Sequence, residues 1–284
     1  MKSGQSLPGI YQTYPKSGHT FGGHSYFLIF RRAGCNIVLM NCLLNHTRFI
    51  LVFLFISWSL NAQVALPTFH GVQKSYPSVL IIWDDSATNT HTVALKTALG
   101  NAGFNVTMSN TSETSYDGTN PALSNFNAVI HLDGTTFGTR MPTNGQTALV
   151  SFVNTQGGLY IHNQWLSYEN YSSMLELVLF TGHSYHAGSV TIVVASGQSS
   201  HAILSGISFP LTLSSWVGNK VGNLRHSSDS TVLLKEGAGN HLVIRPYGNG
   251  KIVAFSHAAN YNAQTTLSNS TIQQLYINAI EWAN

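Results

Sequence analysis

Short continuous apolar runs alternate with segments of helical periodicity between residues 78 and 162. The apolar runs lie at 78–83, 104–108, 127–132 and 159–162. Runs of this kind are typical of strands that are buried on both faces of a parallel sheet. Between them, residues 90–102 and 142–154 place apolar side chains at helical spacing, which predicts two helices. This alternation predicts right-handed β-α-β units and a mostly parallel sheet.

The second half of the chain has a less regular pattern. Its predicted elements are a helix over 172–180, strands over 189–195 and 231–235, and a closing helix over about 265–283. Two further apolar runs, 241–245 and 251–255, flank Tyr-Gly-Asn-Gly at 247–250. An Asn-Gly pair between apolar runs is typical of a β-hairpin, so these runs are predicted to pair with each other.

An apolar segment near the N-terminus has the pattern of a signal peptide. Arg48 is followed by a continuous apolar stretch over 49–60, and Ala62 is suited to cleavage. The stretch is shorter than the roughly 20 residues of a membrane span, and an uncleaved anchor is the alternative. We predict translation from Met40, a signal peptide over 40–62, a non-native or disordered extension over 1–39, and one domain over 63–284.

Removal of this leader changes the charge balance. The whole chain carries 13 Lys and Arg, 10 Asp and Glu, and a formal charge of +3. Five of the basic residues precede residue 63, so eight remain against all ten acidic residues, a balance of −2. No basic patch is left for a nucleic acid. We therefore expect a secreted, periplasmic or cell-surface protein with no stable membrane span and no nucleic-acid partner.

Both cysteines, Cys35 and Cys42, also lie in the predicted leader. A domain over 63–284 therefore has no disulfide, no thiolate nucleophile and no cysteine metal ligand. At about 220 residues it is large enough to bury a stable core without a disulfide.

Several segments resemble class I glutamine amidotransferase-like domains. The runs 79–85 and 127–133, and Gly-Gly-Leu-Tyr-Ile-His at 157–162, resemble their first strands. The second half is similar to the ThuA-like, or trehalose-utilisation-like, branch in Ser-His-Ala-Ile-Leu-Ser-Gly at 200–206, the hairpin over 247–255, and Asn-Ala-Ile-Glu-Trp-Ala at 278–283. The resemblance covers about 78–283. It implies an α/β fold, a flavodoxin-like three-layer sandwich with a mostly parallel sheet, and a site at the carboxyl ends of the strands.

The resemblance also implies that the amidotransferase triad is lost. His162 occupies the position of the nucleophilic cysteine, at a turn that is expected to expose its side chain. His257 matches the base, and Ala259 stands where the family has its carboxylate. Without a thiol no thioester can form, so glutamine hydrolysis by this route is not expected.

The strand ends nevertheless carry a set of polar residues that would meet at one edge of the sheet. The candidate catalytic residues are His162, His257 and Asp84, and the candidate ligand-binding residues are Asp85, His131, Asp133, Asn163 and Trp165. A carboxylate and a histidine can act together as general acid and base. Alternatively, aspartates at strand ends cap helices and order loops. We assign no metal ligand and expect no cofactor, with a divalent metal as an alternative.

These observations predict a secreted ThuA-like domain that binds or processes carbohydrate in a polar pocket. If it is an enzyme, the resemblance implies a hydrolase acting on sugars. The alternative is a non-catalytic module for adhesion or protein interaction at the cell surface, which the lost triad and the 8% content of charged residues favour.

Overall fold

The computed structural model describes residues 28–32, 35–39, 76–163, 166, 171–181, 185–219, 223–261 and 265–284. The chain divides into two units, Met1–Val72 and Gln73–Asn284. In the first unit, strand β1 (Leu28–Arg32) pairs antiparallel with strand β2 (Cys35–Leu39). The predicted signal peptide over 40–62 lies outside the described residues. In the part of the chain that is described, no helix has the length and apolar character needed to cross a membrane.

The first half of the second unit has the alternating pattern that its apolar runs predict. Its elements are β3 (Ser78–Ile82), α1 (Thr90–Asn101), β4 (Asn105–Met108), β5 (Ala128–His131), α2 (Thr143–Asn154) and β6 (Leu159–Asn163). The Asn89 side chain accepts hydrogen bonds from the backbone N–H groups of His91 and Thr92, so it caps α1. Leu95 and Leu99 of α1 are buried, whereas Val93, which shares the predicted apolar stripe, is 40% exposed.

The second half contributes mainly strands. Its elements are β7 (Phe180–Thr181), β8 (Tyr185–Val194), β9 (Leu211–Asn219), β10 (Asn223–Leu224), β11 (Thr231–Glu236), β12 (Gly239–Tyr247), β13 (Gly250–Phe255) and α3 (Ser270–Ala283). The predicted helix over 172–180 is wrong. Only Leu175–Leu177 form a short 3-10 helix there. Residues 177–180 are all buried, which leaves no polar face for a helix to present to solvent.

Nine strands form one large sheet in the order β4-β3-β5-β6-β13-β12-β11-β8-β9. The first five are parallel neighbours, and each later pair is antiparallel. Seven of the nine therefore point the same way, and only β12 and β8 run against them. The prediction of an α/β fold with a mostly parallel sheet is confirmed. The predicted hairpin is confirmed as the antiparallel pair β12 and β13. The pairing of β11, β8 and β9 beyond it was not predicted.

Helices cover both faces of the parallel part of the sheet. Alternate residues of β3 point to opposite faces, so Val79 and Leu80 belong to two separate clusters of buried side chains. The cluster with Val79 includes apolar residues of α1 and α3, and the cluster with Leu80 includes those of α2. Burial on both sides explains why the strand has no polar alternation.

Candidate functional site

Parallel pairing brings the carboxyl ends of β3, β5, β6 and β13 to one edge of the sheet. His131 at the end of β5 pairs with Ile82 of β3 on one side and with His162 of β6 on the other. His162 in turn pairs with Ala254 of β13. The expectation that the runs starting near 79, 128 and 159 lie side by side and point the same way is confirmed. The polar residues that follow them therefore share an edge.

The carboxylate of Asp84, a residue just after β3, binds the loop that follows β5. Its carboxylate is 1% exposed and accepts hydrogen bonds from the backbone N–H groups of Thr135, at 2.7 Å, and Thr136, at 2.9 Å. The Thr136 hydroxyl donates a third bond to it. Burial raises the pKa of Asp84, and these bonds offset part of that rise. The contacts match the loop-ordering role that the sequence left open for this residue.

Glu113 is a site residue that the sequence analysis missed. It begins the 3-10 helix Glu113–Ser115, in a loop rich in Ser, Thr and Asn. Its backbone N–H donates to the Trp83 carbonyl at 2.8 Å, which holds this loop against the end of β3. The side chain is fully buried, and burial raises its pKa to about 8. The available signal was weak, because Glu113 and Asp117 are both acidic residues in a loop made mostly of Ser, Thr and Asn.

Asp133, after β5, completes a group of three buried carboxyl groups. One oxygen from each of Asp84, Glu113 and Asp133 lies within 4.8 Å of the other two. The Asp133 backbone is held on both sides: its N–H donates to Asn163 Oδ1 at 3.0 Å, and its carbonyl accepts from the Ala259 N–H at 3.1 Å. Asn163 therefore joins the ends of β5 and β6 through its side chain.

His131 connects the carboxyl group of Glu113 to the middle of the sheet. Its Nδ1 lies 2.7 Å from the Tyr160 hydroxyl, and its Nε2 lies 3.4 Å from Glu113 Oε2. The ring is fully buried, and burial lowers its pKa to about 3, so it is neutral at physiological pH. The neutral ring therefore lies between the Tyr160 hydroxyl and the Glu113 carboxyl group.

His162 lies inside β6 and is 1% exposed, so the expected exposure of its side chain is wrong. The strand continues through Asn163, and no turn intervenes at residue 162. The Leu179 N–H donates to Nε2 at 3.3 Å, which leaves Nδ1 to donate to the Asn163 carbonyl at 3.0 Å. Burial lowers the pKa of His162 to about 4. The ring is neutral, and both of its nitrogens are engaged.

His257 lies two residues after β13 and is fully buried. Its Nδ1 donates to the Ala258 carbonyl at 2.7 Å, and its Nε2 lies 3.1 Å from the hydroxyl of Tyr276 on α3. Burial lowers its pKa to about 4.

The structure does not bring His162 and His257 together. The His162 ring packs against Tyr160 and Phe180, which belong to the cluster on the α2 face. The His257 ring packs against Phe255 and Tyr276 of the cluster on the other face. The catalytic assignment of His162, His257 and Asp84 stays a prediction.

The outer part of this edge is more accessible. Asp85 is exposed, and its Oδ1 accepts a hydrogen bond from the Asn260 side chain, in the loop after β13. In the same region Phe137 and Tyr261, both partly exposed, form an edge-to-face pair with ring centroids 5.6 Å apart. Trp165, the remaining predicted ligand-binding residue, lies outside the described residues.

Comparison with known proteins relates this chain to solved structures only. No protein-family model matches the chain, and no curated protein matches it in sequence. The cytoplasmic protein STM3548 from Salmonella typhimurium is 13% identical, with a TM-score of 0.53, and the match covers 72% of this chain and 98% of that one. The cytoplasmic protein STM1381 from Salmonella typhimurium LT2 is 12% identical, with a TM-score of 0.51 and the same coverage. Identities this low establish a shared fold and carry no information on activity.

Proposed function

We propose that the domain over 63–284 is a secreted carbohydrate-binding domain with a flavodoxin-like, class I glutamine amidotransferase-like fold of the ThuA-like branch. The order of the parallel strands supports the fold assignment. Numbered along the chain, β4-β3-β5-β6-β13 have the order 2-1-3-4-5, which is that of flavodoxin-like sheets. In such sheets, ligands bind at the carboxyl ends of the strands, where Asp85 and Tyr261 lie.

The observation that carries the proposal is the outer rim formed by Asp85, Phe137 and Tyr261. Two partly exposed aromatic rings pair edge to face, and Asn260, the residue before Tyr261, binds the exposed carboxylate of Asp85. The three residues lie on loops that follow β3, β5 and β13. Aromatic faces accept the apolar face of a sugar ring, and carboxylate and amide groups hydrogen-bond its hydroxyls. Asn260 fixes the position of Asp85, so the rim is partly preorganised.

The geometry favours binding of carbohydrate over processing it. A general acid or base must come within hydrogen-bond distance of the substrate. His162 and His257 are at most 1% exposed and are engaged with protein atoms on opposite faces of the sheet. A hydrolase acting on sugars is therefore the less favoured form of the proposal.

Replacement of Tyr261 by alanine is expected to weaken saccharide binding at least tenfold, because it removes half of the aromatic pair. The measurement is isothermal titration of the purified full chain with mono- and disaccharides. Tyr247→Ala is the matched control, because Tyr247 is the last residue of β12 and pairs with Gly250 at the start of β13, at the opposite end of that strand from Tyr261. If the wild-type chain binds no saccharide at all, the proposal fails and a protein-interaction module is the better description.

Export is tested separately, by N-terminal sequencing of the protein recovered from its native host. We expect the mature chain to begin near Gln63, because Ala62 follows the apolar stretch at the position of a cleavage site. A mature protein that begins near Met1 contradicts the proposed secretion.

A further inference from the structure

The carboxyl groups of Asp84, Glu113 and Asp133 form a cluster of three buried acidic side chains. Each residue is at most 1% exposed. Burying a carboxylate is costly unless a cation or hydrogen-bond donors compensate for its lost hydration. Among the described residues, the interactions that favour the ionised forms of Asp84 and Glu113 are hydrogen bonds with Thr135 and Thr136.

A single hydroxyl group is shared between the carboxyl groups of Asp84 and Glu113. The Thr136 hydroxyl contacts both Asp84 Oδ1 and Glu113 Oε1, the latter at 2.9 Å. A hydroxyl has one proton, so it can donate to only one of the two carboxylates at a time. A further positive centre, either a proton or a metal ion, is needed to hold these oxygens together.

Asn260 provides an independent indication of a ligand. The residue is 4% exposed, and its Nδ2 donates to Asp85. Its Oδ1 is buried and has no hydrogen-bond partner among the described residues. This oxygen and Asp84 Oδ2 both lie 3.0 Å from the point that a Cβ at Gly134 would occupy. The amide oxygen and the Asp84 carboxylate therefore both border the space that a side chain at position 134 would fill.

We propose that Asp84, Glu113 and Asp133 bind a hard divalent cation, with Asn260 Oδ1 as a further ligand. Carboxylate and amide oxygens without any Cys or His are the ligands that calcium, magnesium and manganese prefer. Oxygens within 4.8 Å of one another are compatible with calcium, whose ligands lie about 2.3–2.6 Å from the ion in a flexible geometry.

The bound ion would fasten together three loops that come from distant parts of the sequence. Asp84 follows β3, Glu113 follows β4, and Asp133 follows β5. The inference does not rest on carbohydrate binding, because the cation site can be measured without any sugar. A chain that binds no sugar does not contradict the proposed cation site. A chain that binds no cation does not contradict the proposed carbohydrate binding.

The test uses the purified full chain, stripped with a chelator and then supplied separately with calcium, magnesium, manganese or zinc. We expect one equivalent of calcium to remain bound after dialysis, measured by mass spectrometry of the metal. We also expect millimolar calcium to raise the melting temperature by at least 5 °C, because a ligand that binds only the folded state stabilises it. Magnesium or manganese bound at the same residues also supports the proposal.

The variants Glu113→Gln and Asp133→Asn keep the side-chain shapes and remove one charge each. Both are expected to fold without metal, as judged by circular dichroism, and to lose the metal-induced shift and the bound equivalent. If one of them does not fold, the other carries the test. Glu281→Gln is the matched control, because Glu281 is exposed on α3 and should leave binding unchanged.

Three results overturn the proposal. The first is a wild-type chain that binds none of the three hard cations at millimolar concentration. The second is a preference for zinc alone. The third is a folded Glu113→Gln variant that still binds one metal ion per chain and shows the full metal-induced rise in melting temperature. In that case, a proton rather than a metal ion compensates the buried carboxyl groups of the native protein.

Discussion

Replacement of Asp84 by alanine is expected to lower the free energy of unfolding by about 2–4 kcal/mol. The substitution removes the acceptor of three hydrogen bonds from Thr135 and Thr136 and leaves partly buried N–H groups without a partner. Relief of the cost of burying the carboxylate offsets part of this loss. The measurement is urea denaturation of the full chain, followed by circular dichroism.

The neighbouring residue provides the control for this prediction. Asp85 is exposed and accepts a hydrogen bond from Asn260 only among the described contacts. Asp85→Ala is therefore expected to cost less than about 1 kcal/mol. If Asp84→Ala is as mild as Asp85→Ala, the hydrogen bonds of Asp84 do not hold the loop after β5. A catalytic or ligand-binding role would then be the better explanation of this buried carboxylate.

The second large effect is a loss of stability in acid that arises from buried histidines. The folded-state pKa values of His162 and His257 are lowered to about 4, against a reference value of 6.5. The unfolded chain therefore binds protons that the folded chain does not, and stability is lost as the pH falls from 6.5 toward 4. Each ring is expected to contribute on the order of 2–3 kcal/mol to this loss.

The pH dependence is measured as the free energy of unfolding between pH 7 and pH 4.5 in the wild-type chain and in His162→Gln and His257→Gln. In each variant, the fall in the free energy of unfolding between pH 6.5 and pH 4.5, here called the acid limb, is expected to be smaller than in the wild type. Glu113 acts in the opposite direction, because its raised pKa contributes stability that is present below pH 4.5 and lost as the pH rises toward 8. This contribution cancels when a variant is compared with the wild type.

His91→Gln serves as the control for the acid limb, because His91 is partly exposed at the start of α1. It should leave the pH dependence as it is in the wild type. If His162→Gln and His257→Gln lose stability in acid as steeply as the wild type does, the two buried rings are not the source of the acid limb.

The sequence alone determined the parallel half of the sheet and the helices that cover it. The continuous apolar runs of β3, β5 and β6 indicate strands that are buried on both faces. The spacing of apolar residues in α1 and α2 indicates helices that are buried on one face. Burial of this kind is a local property, so the local pattern encodes it. The common edge followed from the same pattern, because parallel strands end on the same side.

Only the tertiary structure decided which polar side chains meet at that edge. His162 and His257 looked equivalent at their strand ends, but they face opposite sides of the sheet. Successive residues of a strand face opposite sides of the sheet, so a shift of one residue in the register moves a side chain to the other face. Glu113 lies in the site because its loop packs against the end of β3. The local sequence pattern of a loop does not predict which part of the fold the loop contacts.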